Sequence, residues 1–318
     1  MQKSTLYRLA QTDYHPELAR VCSDKIACNL PDLSQICPMV PELPNAALEA
    51  SLADAIVFFL ALNAINYQFW DLRSDSRGVA QMDRYAFEGV VGAKGMQRAL
   101  GKAWGNEASS ECFEAALAHD GIEGLFGDIP NESSRLRMLR DIFPSKSFSD
   151  AQCPAALEQA QQVLTARIHE DGRLDTSDAA LLAVLFPVAY GGDRYLKRAQ
   201  LALNFIANAA RKLHGLPVQL DVTLFADYQV PRVARSLGLL EYGLELAALV
   251  DGGALLQAQG RHERAIRAAT ILLGRELCQA LERQTGNAVE EADLDSWLWL
   301  QRNACGDALF HRTLTTDY

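Results

Sequence analysis

Residues 194–213 have the sequence RYLKRAQLALNFIANAARKL, and the spacing of their apolar side chains indicates the fold class. The apolar positions recur every three or four residues, at Leu196, Ala199, Leu203, Ile206 and Ala210. That interval matches one face of an α-helix, so the stretch is predicted to be a long helix. A Gly-Gly-Asp break at residues 191–193 precedes it and marks where the helix opens.

The same helical pattern recurs along most of the chain and predicts a mainly α-helical protein with two lobes. Helices are expected over residues 47–62, 84–104, 134–143, 154–168, 240–250, 261–283 and 291–303, and from a cap at Asp175 to Phe186. Residues 106–130 are interrupted and are expected to form short helices and loops. Some strand character is confined to residues 220–225.

Prolines divide the chain near residue 45. Pro31, Pro38, Pro41 and Pro44 disfavour helix in the residues that precede them, so residues 1–45 are expected to form an irregular N-terminal arm. Residues 46–318 contain no repeat, low-complexity linker or block of like charge. They are therefore expected to form a single helical domain that carries the function.

The charge of the chain argues against nucleic acid as the bound form of a substrate. The formal net charge of the 318 residues is −10, whereas proteins that hold nucleic acid by its phosphates usually carry a basic excess. A small nucleotide stays compatible with this charge, because one or two local basic residues can hold a single phosphate.

The seven cysteines and the start of the chain indicate a cytoplasmic protein without metal or membrane anchor. The cysteines are odd in number and form no CxxC pair, which is typical of reduced thiols. The spacing of Cys22, Cys28 and Cys37, with His15 nearby, matches no usual zinc motif. Residues 1–20 lack the apolar run of a signal peptide, and the longest apolar stretch, residues 55–62, is too short to span a bilayer.

Asp227 is the first candidate for chemistry. It lies between Phe225 and Tyr228, just before the predicted helix that contains Pro231. A carboxylate there is favoured by the helix dipole and by free backbone N–H groups. Asp227 can therefore be a simple helix brace, which is the more common case, or a catalytic group beside a flat ligand held by Phe225 or Tyr228.

Three further groups of residues leave a structural and a functional interpretation open. Glu263 and Arg267 are four residues apart on one helix, a spacing more often found in surface salt bridges. Asp295 lies among large apolar residues, either as a helix-start residue or as a pocket carboxylate. Tyr67 and Trp70, with Phe69 between them, are more typical of core packing than of ligand contact.

These residue types suit hydrolysis at a sugar carbon. The sequence contains no Walker loop, GxGxxG, HExxH, GxSxG or zinc-deaminase motif, and it calls for neither metal nor cofactor. Carboxylates combined with aromatic side chains can stabilise an oxocarbenium-like transition state and hold a base.

Seven ordered blocks extend this interpretation by resemblance. They are FFLALNAINYQFWD, YGGDRYLKRAQ, LFADYQVPR, LGLLEY, ERAIRAAT, LDSWLW and FHRT, and they run from about residue 50 to the end of the sequence. Together they resemble the queuosine salvage family, the queuosine 5'-phosphate N-glycosylase/hydrolases. The resemblance implies a helical fold similar to helix-hairpin-helix DNA glycosylases. It also implies release of the base queuine from queuosine or its 5'-monophosphate, for salvage into tRNA.

The resemblance assigns roles to individual positions. It implies that Asp227 is the catalytic aspartate, that Phe225 contacts the base, and that Asp295 and Ser296 contact its polar edge. Base contacts are also expected from Tyr228, Tyr67 and Trp70, and structural support from Glu263 and Arg267. Relatives often carry an acid directly after the LW pair, where this chain has Leu300 and Gln301. This departure puts in question how the amine-bearing side arm of the base is held, and a variant substrate is an open alternative.

The implied substrate makes a chemical demand on Asp227. A 7-deazapurine has carbon in place of N7, so protonation of N7 cannot assist departure of the base. More of the barrier must be lowered at the sugar by a nearby carboxylate, either electrostatically or through a covalent adduct. Lys197 and Arg198 are candidates to hold the 5'-phosphate, although a solvated helix face is an equally common role for such a pair.

Two other functions remain open from the sequence. One is a DNA-repair glycosylase on a related helical scaffold, which would need a basic groove. The other is a non-catalytic protein that binds a deazaguanine base. The expected small-molecule partners of the preferred function are queuosine 5'-monophosphate and the product queuine, with no direct nucleic-acid or membrane partner.

Overall fold

A helix buried on almost every side lies at the centre of the fold. The computed structural model describes residues 1–39, 42–74, 80–105, 113–115, 117, 124–143 and 154–318. The central helix spans Lys197–His214, and its side chains are buried from Lys197 through Ala210. It packs against a second apolar helix, Leu52–Ala64, of which eleven residues are buried. A helix that is apolar around most of its circumference is expected in the interior of a domain.

The described part of the chain is mainly helical, as the apolar spacing predicts. The helices are α1 (Lys3–Asp13), α2 (Ser23–Ile26), α3 (Ala46–Ala50), α4 (Leu52–Ala64), α5 (Ala93–Trp104), α6 (Glu132–Ile142), α7 (Pro154–Ala166), α8 (Thr176–Leu185), α9 (Lys197–His214), α10 (Gln229–Ser236), α11 (Leu244–Asp251), α12 (Arg261–Thr285) and α13 (Glu291–Leu300). The cap expected at Asp175 is present, because its side chain accepts a hydrogen bond from the Ser177 backbone and forms a capping box with Asp178.

Short strands pair two by two. They are β1 (Ala19–Val21), β2 (Trp70–Ser74), β3 (Ala80–Arg84), β4 (Ala86–Phe87), β5 (Val90–Val91), β6 (Arg173–Asp175), β7 (Gln219–Asp221) and β8 (Leu240–Tyr242). The pairs β1–β8, β2–β3 and β4–β5 are antiparallel, whereas β6–β7 is parallel. The strand character expected over residues 220–225 is therefore limited to its first two residues, within β7.

Three predicted helices differ from the structure. The helix expected over residues 240–250 begins only at Leu244, because Leu240–Tyr242 form β8 and pair with β1. The helix expected over residues 84–104 begins only at Ala93. Glu88 and Gly89 have positive φ angles that turn the preceding β4–β5 hairpin, and Gly92, also with a positive φ angle, stands at the start of the helix. The helix expected over residues 47–62 is interrupted at Ser51, whose side chain caps the start of α4. The expectation for residues 106–130 falls largely outside the described residues.

The N-terminal segment is more ordered than its prolines suggest. The expectation of an irregular arm over residues 1–45 does not hold for its first half, because α1 packs on α12 and β1 pairs with β8. Residues 27–45 contain one short 3-10 turn, Leu33–Gln35, and otherwise fit the expectation where they are described. The prolines therefore set the conformation only of the segment in which they lie.

The buried apolar side chains form two clusters. One is built around α4 and α9 and includes Phe58, Trp104 and Phe205. The other is built around α12 with α10, α11 and the N-terminal elements.

None of the described helices is both long enough and apolar enough to cross a membrane. The five described cysteines are free thiols.

Candidate functional site

A cavity of about 1250 Å³ lies beside the first cluster, at the start of α9. Its walls come from residues 66–70, α5, the start of α9, the segment before α10, α13, and the segment of residues 310–318. Seven residues singled out in the sequence line it together: Tyr67, Trp70, Lys197, Phe225, Asp227, Tyr228 and Asp295. A cavity of this size exceeds the volume that small-molecule sites usually need.

Asp227 caps a helix and lines the cavity at the same time. Its Oδ1 accepts hydrogen bonds from the backbone N–H groups of Gln229 (2.7 Å) and Val230 (2.9 Å), in the first turn of α10. Only 9% of the residue is exposed. Both of these hydrogen bonds go to Oδ1, and neither involves Oδ2. The helix start therefore fixes one oxygen of Asp227, while the other takes no part in capping the helix.

Asp295 fixes the backbone beside Asp227. Its Oδ1 accepts a hydrogen bond from the Phe225 N–H at 2.8 Å. Burial raises the pKa of the Asp295 carboxyl well above its ordinary value, and the nearby Asp227 carboxylate raises it further. Two carboxyl groups thus lie close together in a poorly solvated site, and the second of them favours its protonated form.

Lys197 supplies a buried positive charge next to both carboxyl groups. It is 5% exposed, and burial lowers the pKa of its ammonium, whereas Asp227 and Asp295 act in the opposite direction. The preceding Leu196 has a positive φ angle of 55°, and the Lys197 backbone N–H donates to Asp193. The start of α9 therefore places this ammonium group in the cavity wall.

A buried ion pair connects the elements behind the cavity. Arg267 of α12 donates from both terminal nitrogens to the two oxygens of Asp193, each at 2.8 Å, and its Nε donates to the Ala226 carbonyl at 2.9 Å. Glu263 lies 3.4 Å from the same guanidinium, and each side chain of the pair is 1% exposed. The Glu263–Arg267 pair is therefore a core feature, in contrast to the surface salt bridge that its spacing more often indicates.

Aromatic residues form a wall of the cavity. The ring of Tyr228 packs against Phe310 with centroids 4.8 Å apart, and Trp70 packs against Phe310 at 5.7 Å. The guanidinium of Arg135 lies 4.1 Å from the ring centre of Tyr67. The Tyr67 hydroxyl and the Trp70 Nε1 are buried and have no hydrogen-bond partner among the described residues. Unpaired buried polar groups are costly, which makes both atoms candidates for ligand contact.

Two candidate residues named from the sequence, Ser296 and Arg198, are not among the residues that line the cavity. The Ser296 hydroxyl donates back to the Ala292 carbonyl at 3.0 Å within α13. Arg198 is 2% exposed, and its guanidinium donates to the Ala64 carbonyl and contacts the Met138 sulfur at 3.3 Å. The placement of Arg198 gives no support to the phosphate role expected of it, because its side chain lies in the helix interface rather than in the cavity.

Several supporting residues were missed by sequence reasoning. Glu291, one turn before Asp295, accepts hydrogen bonds from the Leu224 backbone (3.2 Å), the Tyr7 hydroxyl and the Lys3 ammonium (2.9 Å). The backbone N–H groups of the adjacent residues Leu224 and Phe225 thus donate to two carboxyl groups of α13, those of Glu291 and Asp295. An i, i+4 pair of acids on a mostly apolar helix was the available signal for this arrangement.

Close packing at Gly274 makes room for Glu291. A Cβ atom at Gly274 would lie 2.6 Å from both the Glu291 Oε2 and the Leu224 Cγ, closer than side chains approach. Glycine in α12 therefore allows the carboxylate to reach the backbone of residue 224.

Among the described residues, no three His, Cys, Asp or Glu side chains converge as the ligands of a metal ion would.

Comparison with known proteins identifies similar sequences. The family described as "Queuosine salvage protein" matches residues 191–318, which include Lys197, Asp227 and Asp295. A protein of Sphaerobacter thermophilus named queuosine 5'-phosphate N-glycosylase/hydrolase is 28% identical over 283 residues, covering 82% of this chain and 80% of its own length.

Two eukaryotic proteins with the same name are also similar. The one from Dictyostelium discoideum is 25% identical and covers 82% of this chain and 77% of its own length. The one from Mus musculus is 24% identical and covers 86% and 84%, respectively. These matches confirm the resemblance that the ordered sequence blocks indicate.

Proposed function

We propose, from the match of residues 191–318 to the queuosine salvage family, that this chain is an N-glycosyl hydrolase acting on queuosine 5'-monophosphate or queuosine. The products are queuine and the sugar or sugar phosphate. The observation that carries the proposal is that Asp227, Asp295 and Lys197 line the same cavity.

Asp227 is proposed to act at the sugar. As the bond between C1' and the base nitrogen breaks, its electron pair leaves with the base and positive charge develops on the sugar. A carboxylate held by helix N–H groups can stabilise that charge without rearranging. Water then adds its hydroxyl to C1', and its remaining proton balances the departing base. That Oδ2 of Asp227 takes no part in capping α10 supports this role.

The base or the ribose is proposed to be contacted by four aromatic residues, Phe225, Tyr228, Tyr67 and Trp70. Asp295 is proposed to contact the polar edge of the base. The unpaired Tyr67 hydroxyl and Trp70 Nε1 support such contacts, because a bound ligand can accept their hydrogen bonds. For Ser296, whose hydroxyl is bonded within α13, a base contact would have to come from its backbone or from a different rotamer. Lys197 remains the phosphate candidate that lines the cavity, and it can equally balance the two carboxyl groups.

Glu263 and Arg267 are proposed as structural support for the site. Residues 46–318 are proposed as a single catalytic domain, with a helical fold like that of helix-hairpin-helix DNA glycosylases, which the mainly helical architecture supports. The free thiols support action in the cytoplasm. The net charge of −10 supports a free nucleotide, rather than DNA or tRNA, as the substrate, and gives no reason to expect a membrane partner.

Product analysis tests the proposal. Purified protein is incubated with queuosine 5'-monophosphate and, separately, with queuosine, in buffer without added metal. Liberation of free queuine is expected from at least one of them. Intact substrate in both reactions, together with thermal stabilisation of the protein by queuine, would instead indicate a binding protein without catalytic activity.

A further inference from the structure

Helix α1 contacts the elements of the candidate site from outside, at both of its ends. It spans Lys3–Asp13, which corresponds to about 15 Å along a helix axis, and it packs on α12. Lys3 and Tyr7 lie in its first two turns, and Asp13 is its last residue. These three are not among the described residues that line the cavity. Any effect that they have on the reaction must therefore pass through other residues.

The start of α1 holds the carboxylate that fixes the backbone before Asp227. The Tyr7 hydroxyl and the Lys3 ammonium, the latter at 2.9 Å, both donate to Oε1 of Glu291. The other oxygen of Glu291 accepts the backbone N–H of Leu224, three residues before Asp227, at 3.2 Å. Burial raises the pKa of the Glu291 carboxyl, whereas Lys3 and Tyr7 act to lower it. The two donors of α1 therefore favour the charged carboxylate, which is the stronger acceptor for the backbone.

The end of α1 holds the turn that precedes Lys197. Oδ2 of Asp13 accepts hydrogen bonds from the Tyr195 hydroxyl at 2.7 Å and from Nε of Arg194 at 2.6 Å. Asp13 and Tyr195 are both buried. The backbone N–H groups of Tyr195 and Lys197 donate to the same carboxylate, that of Asp193. One buried tyrosine side chain therefore connects α1 to the start of α9.

We propose that α1 is a positioning element of the site, acting on the segment of residues 224–227 through Glu291 and on the start of α9 through Tyr195. This inference rests on the proposed function. It assigns a part in the reaction to a helix that lies outside residues 191–318, which match the family model. A carboxylate stabilises a developing cation best when it is held in place before the reaction, so a small displacement of Asp227 lowers the rate.

Removing the Tyr7 hydroxyl tests the start of α1. Tyr7→Phe removes one donor to Glu291. The value of kcat for queuine release from queuosine 5'-monophosphate should fall about 5-fold or more, with KM changed less than about 2-fold. The reason is that Asp227 is proposed to act on charge that develops only in the transition state. Tyr14→Phe is the matched control. Its hydroxyl accepts the backbone N–H of Val21, and its loss should leave both kinetic parameters unchanged.

Two further variants keep the test independent of any one substitution. Lys3→Met removes the second donor to Glu291 and should lower kcat in the same sense, so it replaces Tyr7→Phe if that protein does not fold. Tyr195→Phe removes a donor to Asp13 and should lower kcat/KM about 3-fold or more, because α1 then holds the start of α9 less firmly. All variants are assayed at a temperature where circular dichroism shows them folded, so a loss of stability alone leaves the rates unchanged.

The possible outcomes separate this inference from the proposed function. A folded Tyr7→Phe protein with the kinetic parameters of Tyr14→Phe would overturn the positioning role of α1, while leaving glycosidic hydrolysis in place. A rise in KM at unchanged kcat in Tyr7→Phe would also overturn it, and unchanged kinetics in Tyr195→Phe would overturn the action on α9. Release of no queuine by the unmodified protein would overturn the proposed function, and the inference with it.

Discussion

Arg267 and Asp193 form a two-pronged ion pair, with each terminal nitrogen of the guanidinium 2.8 Å from one carboxylate oxygen. The same carboxylate accepts the backbone N–H groups of Tyr195 and Lys197, and the same guanidinium donates to the Ala226 carbonyl. One buried pair thus connects α12, the start of α9 and the residue before Asp227. It fixes the backbone positions of Lys197 and Asp227 relative to each other.

Replacing Arg267 by methionine is expected to destabilise the protein. Asp193 would be left charged and buried without its partner, a change that typically costs about 3–5 kcal/mol. The free energy of unfolding, measured by urea titration, should fall by that amount. Arg20→Met, which breaks an exposed pair with Glu241, is the control and should change stability far less. Equal effects of the two substitutions would contradict the importance of the buried pair.

Glu291 is expected to act as a positioning residue for the segment that bears Phe225 and Asp227. Glu291→Leu removes the acceptor of the Leu224 N–H, so the segment should shift and kcat/KM should fall about 10-fold or more. Glu291→Gln keeps an acceptor and should retain most of the activity. Both variants are compared in a queuine-release assay at a temperature where circular dichroism shows them folded. Equal activity of the two would exclude this positioning role.

Asp295→Asn is expected to weaken binding more than chemistry. The Asn Oδ1 can still accept the Phe225 N–H, so the fold should persist. Because the Asp295 carboxyl favours its protonated form, the hydrogen bond that is lost joins neutral groups and is worth about 0.5–1.5 kcal/mol. This predicts a rise in KM of about 2- to 10-fold with a smaller change in kcat. Steady-state kinetics with queuosine 5'-monophosphate measures the two parameters. A loss confined to kcat would assign Asp295 to the chemical step instead.

His311 is expected to make the fold sensitive to acid. Burial lowers the pKa of His311 to about 3, from an ordinary value of 6.5, and its ring lies 3.0 Å from the Tyr318 hydroxyl. The folded protein binds a proton at His311 less readily than the unfolded chain does. Above about pH 6.5 His311 is neutral in both states, so its contribution to the free energy of unfolding is fully present. It is lost progressively as the pH falls from there towards 3. At pH 4.5, two pH units below the unfolded value, the loss amounts to about 3 kcal/mol.

The change in unfolding free energy between pH 7.5 and 4.5 measures this effect. In His311→Gln the decrease on acidification should be smaller than in the unmodified protein by about 3 kcal/mol, since the other titrating groups are common to both. An identical pH dependence in the two proteins would show that His311 does not titrate in this way.

The sequence predicts where the helices lie better than it predicts the contacts between distant residues. The apolar period over residues 194–213 locates α9, and the segment around Asp227 is correctly placed before a helix. Positive φ angles at Glu88, Gly89 and Gly92 were not anticipated, so a hairpin was taken for helix. A glycine inside an otherwise helical pattern is ambiguous, because a helix tolerates it at a modest cost.

Contacts between distant residues explain the other differences. Arg267 and Asp193 are 74 positions apart, so only the nearby Glu263 was available as a partner in the sequence. Lys197 and Arg198 are adjacent basic residues about 100° apart around the same helix, and spacing alone does not show which one faces a cavity. Tertiary packing places Lys197 in the cavity wall and Arg198 against α4.

The central claim is that Asp227 is the catalytic carboxylate. Asp227→Asn keeps an oxygen that can accept the N–H groups of Gln229 and Val230, so the start of α10 should stay intact. Removing the charge at the developing cation should lower the rate of base release at least about 100-fold. Asp307→Asn, at an exposed acid outside the cavity lining, is the matched control.

The most direct measurement is the rate of queuine release from saturating queuosine 5'-monophosphate by the unmodified protein, Asp227→Asn and Asp307→Asn. A loss of about 100-fold or more in Asp227→Asn alone, with its thermal unfolding unchanged, is the expected result. Release by a folded Asp227→Asn protein at a rate within a few-fold of the unmodified protein would contradict the claim.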